Sequence, residues 1–273
     1  MKLCRYWAVA EATATGKPGQ ALRLRKWGGS NTSMEEARKT ASVALEAMRR
    51  KVEGIGFNLQ DDYSYSMREV PEELMREITA DSGITRNGKG CLVLNAANAF
   101  FADIDIRDPS FIARLFGATR EKAEQDCIKK LKDFLVRHPE IGTRIYRTKA
   151  GLRYLFTHAP VPVDAAAIGW LNELGSDKMY VRLCKNQKCY RARLTPKPFR
   201  IGCPRIEGHY PFEKDGEKAR FESWLGMYER NSAPYAVCKL VGTEGSTGIH
   251  RDLAAIVKEH DTATRCNDDL PLA

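Results

Sequence analysis

Two aspartates, Asp103 and Asp105, are the side chains of this sequence whose type and spacing best suit chemistry. They lie in Phe101-Ala102-Asp103-Ile104-Asp105-Ile106, where an apolar run that begins at Cys91 turns into strict alternation. Alternate side chains of a strand share a face. Phe101, Asp103 and Asp105 therefore point one way, and Ala102, Ile104 and Ile106 point the other, into a core. The first face carries two carboxylates about 7 Å apart along the strand. Desolvated carboxylates this close repel. A divalent cation, Mg²⁺ or Mn²⁺, removes the conflict, since such ions take one or two carboxylates and complete their shell with substrate phosphates. An edge strand with a solvated face has the same pattern, so the spacing alone leaves both readings open.

A cationic counterpart lies downstream. The chain carries a formal charge of +9. Residues 144–205 hold thirteen Lys or Arg against three acids, Asp164, Glu173 and Asp177, so the excess is local. Arg191 and Arg193 alternate along one segment, and Lys197 and Arg200 follow. The planar fork of arginine matches phosphate oxygens. Tyr180, Tyr190 and Phe199 are interleaved with them, as stacking on bases or sugars requires. The competing reading is a solvated basic face. The expected partner is a polyanion rather than a membrane, because no run of eighteen apolar residues exists. The apolar piece Tyr6–Ala10 is too short for the core of a signal peptide.

Other candidates carry less. Eight scattered cysteines form no disulfide framework and fit a reducing, cytoplasmic setting. Cys184-x4-Cys189, with Cys203 and His209, offers zinc ligands at irregular spacing, and packed thiols are the favoured reading. Gly28 to Ser33 reads as a loop leading into a helix and lacks the lysine of a phosphate-binding loop. His158 follows a strand and reads as structural. His260-Asp261 reads as a helix C-terminus with a cationic histidine.

These residues need elements to hold them. Leu3–Ala12 and Ala21–Trp27 read as a hairpin around Gly16-Lys17-Pro18-Gly19. Ser33-Met34-Glu35-Glu36 is a capping box that opens a helix to about Val52. Pro71-Glu72-Glu73-Leu74 has the proline and acids of a short helix start. Asp108-Pro109 starts another, ended by Gly117, and Thr119 caps the next, which His138-Pro139 stops. Strands are expected over 144–147 and 152–157, around Thr148-Lys149-Ala150-Gly151. A helix is expected over 164–174, and a hairpin from 179–184 and 189–194. A helix over 213–230, a strand over 235–241 and a helix over 249–260 complete the chain. The class is α+β, with mixed or antiparallel sheets and flanking helices. The expected layout is a hairpin and helical region over 1–90, a core over 91–205 and a C-terminal extension over 206–273, in one unit.

This order of elements resembles the archaeo-eukaryotic primase superfamily of primase-polymerases. The similarity covers roughly residues 91–200. Phe101-Ala102-Asp103-Ile104-Asp105 resembles the family's first motif, a strand with two metal-binding aspartates. Thr148-Lys149-Ala150-Gly151-Leu152-Arg153-Tyr154 resembles the second, a small-residue turn leading into a strand, with Arg153 where the family has histidine. The third motif, an acid on a later strand, has no counterpart in Met179–Leu183; Asp177, just before it, and Asp108 are the substitutes. Tyr190-Arg191-Ala192-Arg193 is similar to a basic strand of some members. The resemblance implies a primase-polymerase-like core and metal-dependent nucleotidyl transfer on nucleic acid, single-stranded or primer-template. It implies a nucleoside triphosphate as substrate and Mg²⁺ or Mn²⁺ at Asp103 and Asp105. Thr148, Gly151, Arg153, Arg191, Arg193, Lys197 and Arg200 would meet nucleotide or phosphate. The alternatives are an inactive nucleic-acid-binding module on the same scaffold and a metal-dependent nuclease.

Overall fold

The computed structural model describes residues 3–15, 21–54, 71–108, 117–206, 208 and 210–273. Strands β1 (Tyr6–Thr15) and β2 (Ala21–Ser30) form an antiparallel hairpin in register from Tyr6↔Ser30 to Thr15↔Ala21. The turn expected at 16–19 lies outside the described residues. Helix α1 (Met34–Gly54) packs across the hairpin, with Ser33 Oγ accepting the Glu36 N–H at 3.1 Å. Ala14, Leu24, Leu45, Met48 and Val52 make a small core of their own there. Gly28 belongs to β2 rather than to a loop. A Cβ at this position would lie 2.1 Å from the Ala41 nitrogen, so the glycine lets strand and helix touch.

The rest of the chain builds two antiparallel sheets. In chain order their strands are β3 (Glu73–Thr79), β4 (Ser82–Arg86), β5 (Leu92–Ala96), β6 (Phe101–Asp105), β7 (Gly142–Thr148), β8 (Gly151–Phe156), β9 (Tyr190–Arg193) and β10 (Cys238–Gly245). One sheet has the order β10-β7-β8-β6 and the other β3-β4-β5-β9. Helices α2 (Arg120–Arg137), α3 (Ala165–Leu174), α4 (Lys178–Gln187), α5 (Glu217–Ser232) and α6 (Arg251–Thr264) complete the described elements. Thr119 caps α2 and Asp164 caps α3 through their side chains, and Gly175 ends α3 in the left-handed region. These are the residue types that satisfy orphan helix-end groups. A single large core joins both sheets through Phe100, Phe101, Phe134, Tyr146, Tyr154, Phe156 and Tyr190, with Phe100 stacked on Phe156 at 4.2 Å.

The apolar run from Cys91 to Ile106 divides at Ala97–Phe100 between β5 and β6, which lie in different sheets, and the strand order makes β6 an edge of its sheet. Two expectations change, at Pro71–Leu74 and at 179–184. Pro71–Leu74 is not a helix start. Glu72 is buried against Arg191, and Glu73 and Leu74 pair with β4, so sheet pairing and a buried ion pair override the local helix signal. Residues 179–184 are not a strand but the body of α4. Tyr180, Val181 and Cys184 are its buried residues, the i, i+1, i+4 spacing of a helix face. The helix expected from Asp108 falls on residues 109–116, outside the described residues. In the C-terminal segment, β10 pairs with β7 from Cys238↔Thr148 to Gly245↔Gly142. Among the described residues, no helix is long and apolar enough to cross a membrane.

Candidate phosphate-binding cleft

Strands β6 and β9 are each one edge of their sheet, and they lie next to each other. An edge strand leaves a row of backbone groups unpaired by the ladder. Here side chains and a helix start cover part of that row. The Asp177 N–H donates to the Asp103 carbonyl at 3.0 Å, the Tyr180 hydroxyl to the Phe101 carbonyl at 2.9 Å, and Arg153 to the Arg193 carbonyl at 3.2 Å. Between the edges lies a narrow cleft of about 40 Å³, lined by Asp103, Asp105, Thr148, Arg153, Arg193, Lys197 and Arg200 among others. Seven of the residues singled out in the sequence thus meet in one place.

Asp103 and Arg153 are register partners on β6 and β8. Arg153 grips the carboxylate with both branches, Nε to Oδ1 at 2.8 Å and Nη2 to Oδ2 at 3.3 Å. Its guanidinium is buried, at 2% exposure. Burial works to drive off its proton, but the charge of Asp103 and the fork outweigh this and hold the proton more tightly than water does. Nη1, besides the Arg193 carbonyl, reaches His260 Nε2 at 3.2 Å. Arginine has only donors, so Nε2 must accept, and the imidazole proton sits on Nδ1, 3.1 Å from Asp261 Oδ1. Asp261 also accepts from the Tyr146 hydroxyl and from Arg144 Nη2, each at 2.6 Å. The result is a continuous relay from Asp103 through the buried Arg153 and His260 to Asp261.

His260 is the residue that sequence reasoning misassigned. It is fully buried, and burial, with the Arg153 charge adding to it against the pull of Asp261, lowers its pKa to about 4. It is neutral, not cationic. Its signal was present: Leu253, Ile256, Val257, His260 and Thr264 form the buried stripe of α6, so a histidine stands where an apolar residue belongs.

The opposite wall differs. Among the described residues, no carboxylate lies within ion-pairing distance of Arg193, Lys197 or Arg200. Burial and the nearby Arg153 charge lower the Arg193 pKa; burial and the charges of Arg193 and Arg200 lower that of Lys197; burial lowers that of Arg200. Three crowded cations, each pushed toward losing a proton, are what a bound anion relieves. Asp105 is exposed at the cleft rim. Desolvation raises its pKa, and the carboxylates of Asp177 and Asp103 raise it further, against Lys197 and Arg200. Asp177 caps α4, accepting the Tyr180 N–H at 2.9 Å. Among the described residues, no three His, Cys, Asp or Glu side chains are grouped as a preformed metal site.

The other sequence candidates have local partners. Gly151 was expected to admit a phosphate to the backbone. A Cβ there would sit 1.9 Å from the Ile104 carbonyl oxygen, so the glycine serves β6–β8 pairing. Thr148 Oγ1 accepts the Gly151 N–H at 3.1 Å and keeps its own hydrogen to donate. Arg191 shares a strand face with Arg193 but turns away to Glu72, at 2.6 and 2.8 Å. Tyr180 and Tyr190 are buried and cannot stack on a ligand, which leaves Phe199, 73% exposed. Asp108 pairs with Arg120. Cys184, Cys189 and Cys203 are buried free thiols, Cys203 in a different cluster beside Trp224 and Tyr228, while His209 lies outside the described residues. A larger cavity of about 210 Å³, lined by Arg86, Tyr228 and Pro196, is mostly apolar and shares only Val237 with the cleft. Comparison of the chain with protein-family models, with curated proteins and with solved structures finds no match.

Proposed function

We propose that the cleft binds phosphate groups of a nucleoside triphosphate and a nucleic-acid strand, and that the protein is a divergent primase-polymerase-like nucleotidyltransferase. The observation that carries this reading is the convergence of Asp103, Asp105, Thr148 and Arg153 on one cleft whose far wall is three cations, none ion-paired with a carboxylate among the described residues. Arg193, Lys197 and Arg200 would take phosphate oxygens. Asp105, crowded by Asp177 and Asp103, fits a divalent cation that arrives with the triphosphate, because such a cation lifts the like-charge conflict. The cation would neutralise charge at the transferring phosphoryl group. Arg153 acts through Asp103: it holds that carboxylate and the β6 and β9 edges in place rather than clamping phosphate itself.

A second reading has its own observation. Both Asp103 oxygens accept from Arg153, which leaves that carboxylate less able to hold a metal and favours a binding module without catalysis. Titration calorimetry of an Mn²⁺–triphosphate, together with a primer-extension assay, separates the two. On the enzymatic reading, Asp105→Asn abolishes extension and removes the Mn²⁺ dependence of nucleotide binding. Absence of extension in the wild type, with nucleic-acid binding retained, leaves the binding module.

A further inference from the structure

The cleft is narrow: about 40 Å³ corresponds to a few waters, space for phosphate oxygens and not for a base. Whatever carries the phosphate must lie outside, across the rim. On that rim stands the turn Pro198–Arg200, a single 3₁₀ turn. Lys197, just before the turn, and Arg200, its last residue, line the cleft, and Phe199, between them, is 73% exposed. Lys197 Nζ and Arg200 Cζ lie 6.0 and 5.9 Å from its ring centroid.

The ring is not on a loose loop. Pro198 occupies the start of the turn, the Arg200 N–H donates to the Lys197 carbonyl at 2.9 Å, and the Cys203 N–H to the Pro198 carbonyl at 3.0 Å. Ile201 and Cys203 anchor the far side in a cluster with Trp224 and Tyr228. A large apolar side chain is thus held out in water, in one place, next to cations with no carboxylate at ion-pairing distance among the described residues. An aromatic face beside phosphate-binding cations is the arrangement that single-stranded nucleic acid uses, because every base has a π-face.

Building on the phosphate-binding reading above, we infer that Phe199 is a stacking platform for an unpaired base of single-stranded nucleic acid whose phosphate occupies the Arg193–Lys197–Arg200 wall. The site reads no sequence, since a phenyl ring carries no hydrogen-bonding group.

The test uses the full chain and three probes: fluorescein-labelled oligo-dT, a labelled abasic phosphodiester of equal length, and tripolyphosphate. Phe199→Ala lies on the surface and removes no core packing. It is expected to weaken oligo-dT binding by about five- to a hundredfold, the range for one stacked base, and to leave the abasic strand and tripolyphosphate unchanged. Phe199→Trp is expected to restore oligo-dT binding. Equal binding of oligo-dT by wild type and Phe199→Ala overturns the platform and leaves the phosphate wall standing. An equal loss for the abasic strand also overturns it, because the ring would then act on the wall and not on the base. Failure of the wild type to bind any of the three probes removes the phosphate reading itself.

Discussion

The two walls of the cleft are built from the same kind of residue and do opposite work. On the β6–β8 wall, every charge but that of Asp105 is answered. Asp103 has Arg153, Arg153 has His260, His260 has Asp261, and Asp261 has Arg144 and Tyr146. On the β9 wall and the turn after it, Arg193, Lys197 and Arg200 have one another and no carboxylate partner among the described residues. A charge buried with its partner is committed to structure; a charge held near like charges is available for a ligand. Basic composition alone cannot tell these apart. Of the thirteen cations over 144–205, Arg144, Arg147, Arg153 and Arg191 are answered by Asp261, Glu124, Asp103 and Glu72, all from outside that segment.

The comparison breaks most easily at Arg153. Removing one partner of a buried, hydrogen-bonded pair typically costs about 3–5 kcal/mol, so Arg153→Ala is expected to lower the melting temperature by on the order of 10 °C. Thermal unfolding followed by circular dichroism checks this without any ligand. Were Arg153 a phosphate clamp on a solvated surface, the melting temperature would hardly move.

His260 gives the next largest effect, and it depends on pH. Its pKa falls from 6.5 to about 4 on folding, so between these values the unfolded chain binds more protons. Stability is then full above pH 6.5 and declines as pH falls toward 4, by at most about 3 kcal/mol from this residue. His260→Gln keeps one donor and one acceptor and cannot titrate, so its melting temperature is expected to fall less steeply over that interval. An identical slope in both proteins would assign the acid sensitivity elsewhere.

The open wall is expected to show a different signature, in salt rather than in stability. Each cation that meets a phosphate of a single strand contributes about −0.7 to the slope of log K against log[salt]. Arg193→Ala, Lys197→Ala and Arg200→Ala should each flatten the slope for oligo-dT by about that amount. Arg191→Ala should leave it unchanged, because Arg191 is held by Glu72. A loss of slope in Arg191→Ala would mean that strand β9 presents both arginines to the ligand.

The sequence made the first wall's acid legible because alternation in a strand is a short-range rule, and Phe101, Asp103 and Asp105 obey it. It also made most helices legible through their caps, such as Thr119 and Asp164, since a cap is a contact within a few residues. What it hid is long-range. Gly151 and Gly28 look like loop glycines, and only the approach of Ile104 and Ala41 gives them their reason. Residues 179–184 alternate well enough to mimic a strand, and the distinction rests on Tyr180 and Cys184 facing a core that other elements build. His260 lies 157 positions from Asp103, too far apart in the chain for spacing to link them. The antiparallel α+β class follows from local turns; that Asp103 and Asp105 sit on an edge strand follows from the sheet order alone.

Asp105 offers the smallest change in stability and the sharpest test of chemistry. Its carboxylate is exposed at the rim, and its pKa is raised by desolvation and by Asp177 and Asp103. A raised carboxylate pKa means that its contribution is favourable at low pH and is lost as pH rises through the folded value, so at neutral pH the charge slightly opposes folding. Asp105→Asn removes that charge and keeps the shape. Solvent screens an exposed group, so the expected gain in stability is small, within about 0.5 kcal/mol, and never a loss. Nucleic acid without metal should bind the variant as well as the wild type or better, because an anion has left a site for anions. An Mn²⁺–triphosphate should do the reverse and lose the affinity that Mn²⁺ adds. The opposed signs matter, since a structural carboxylate would lower stability and binding together, whereas a metal ligand lowers only the metal-dependent part. If Asp105→Asn leaves the Mn²⁺ dependence intact, the open wall recognises phosphate without help from the acids, and the cleft is a binding site alone.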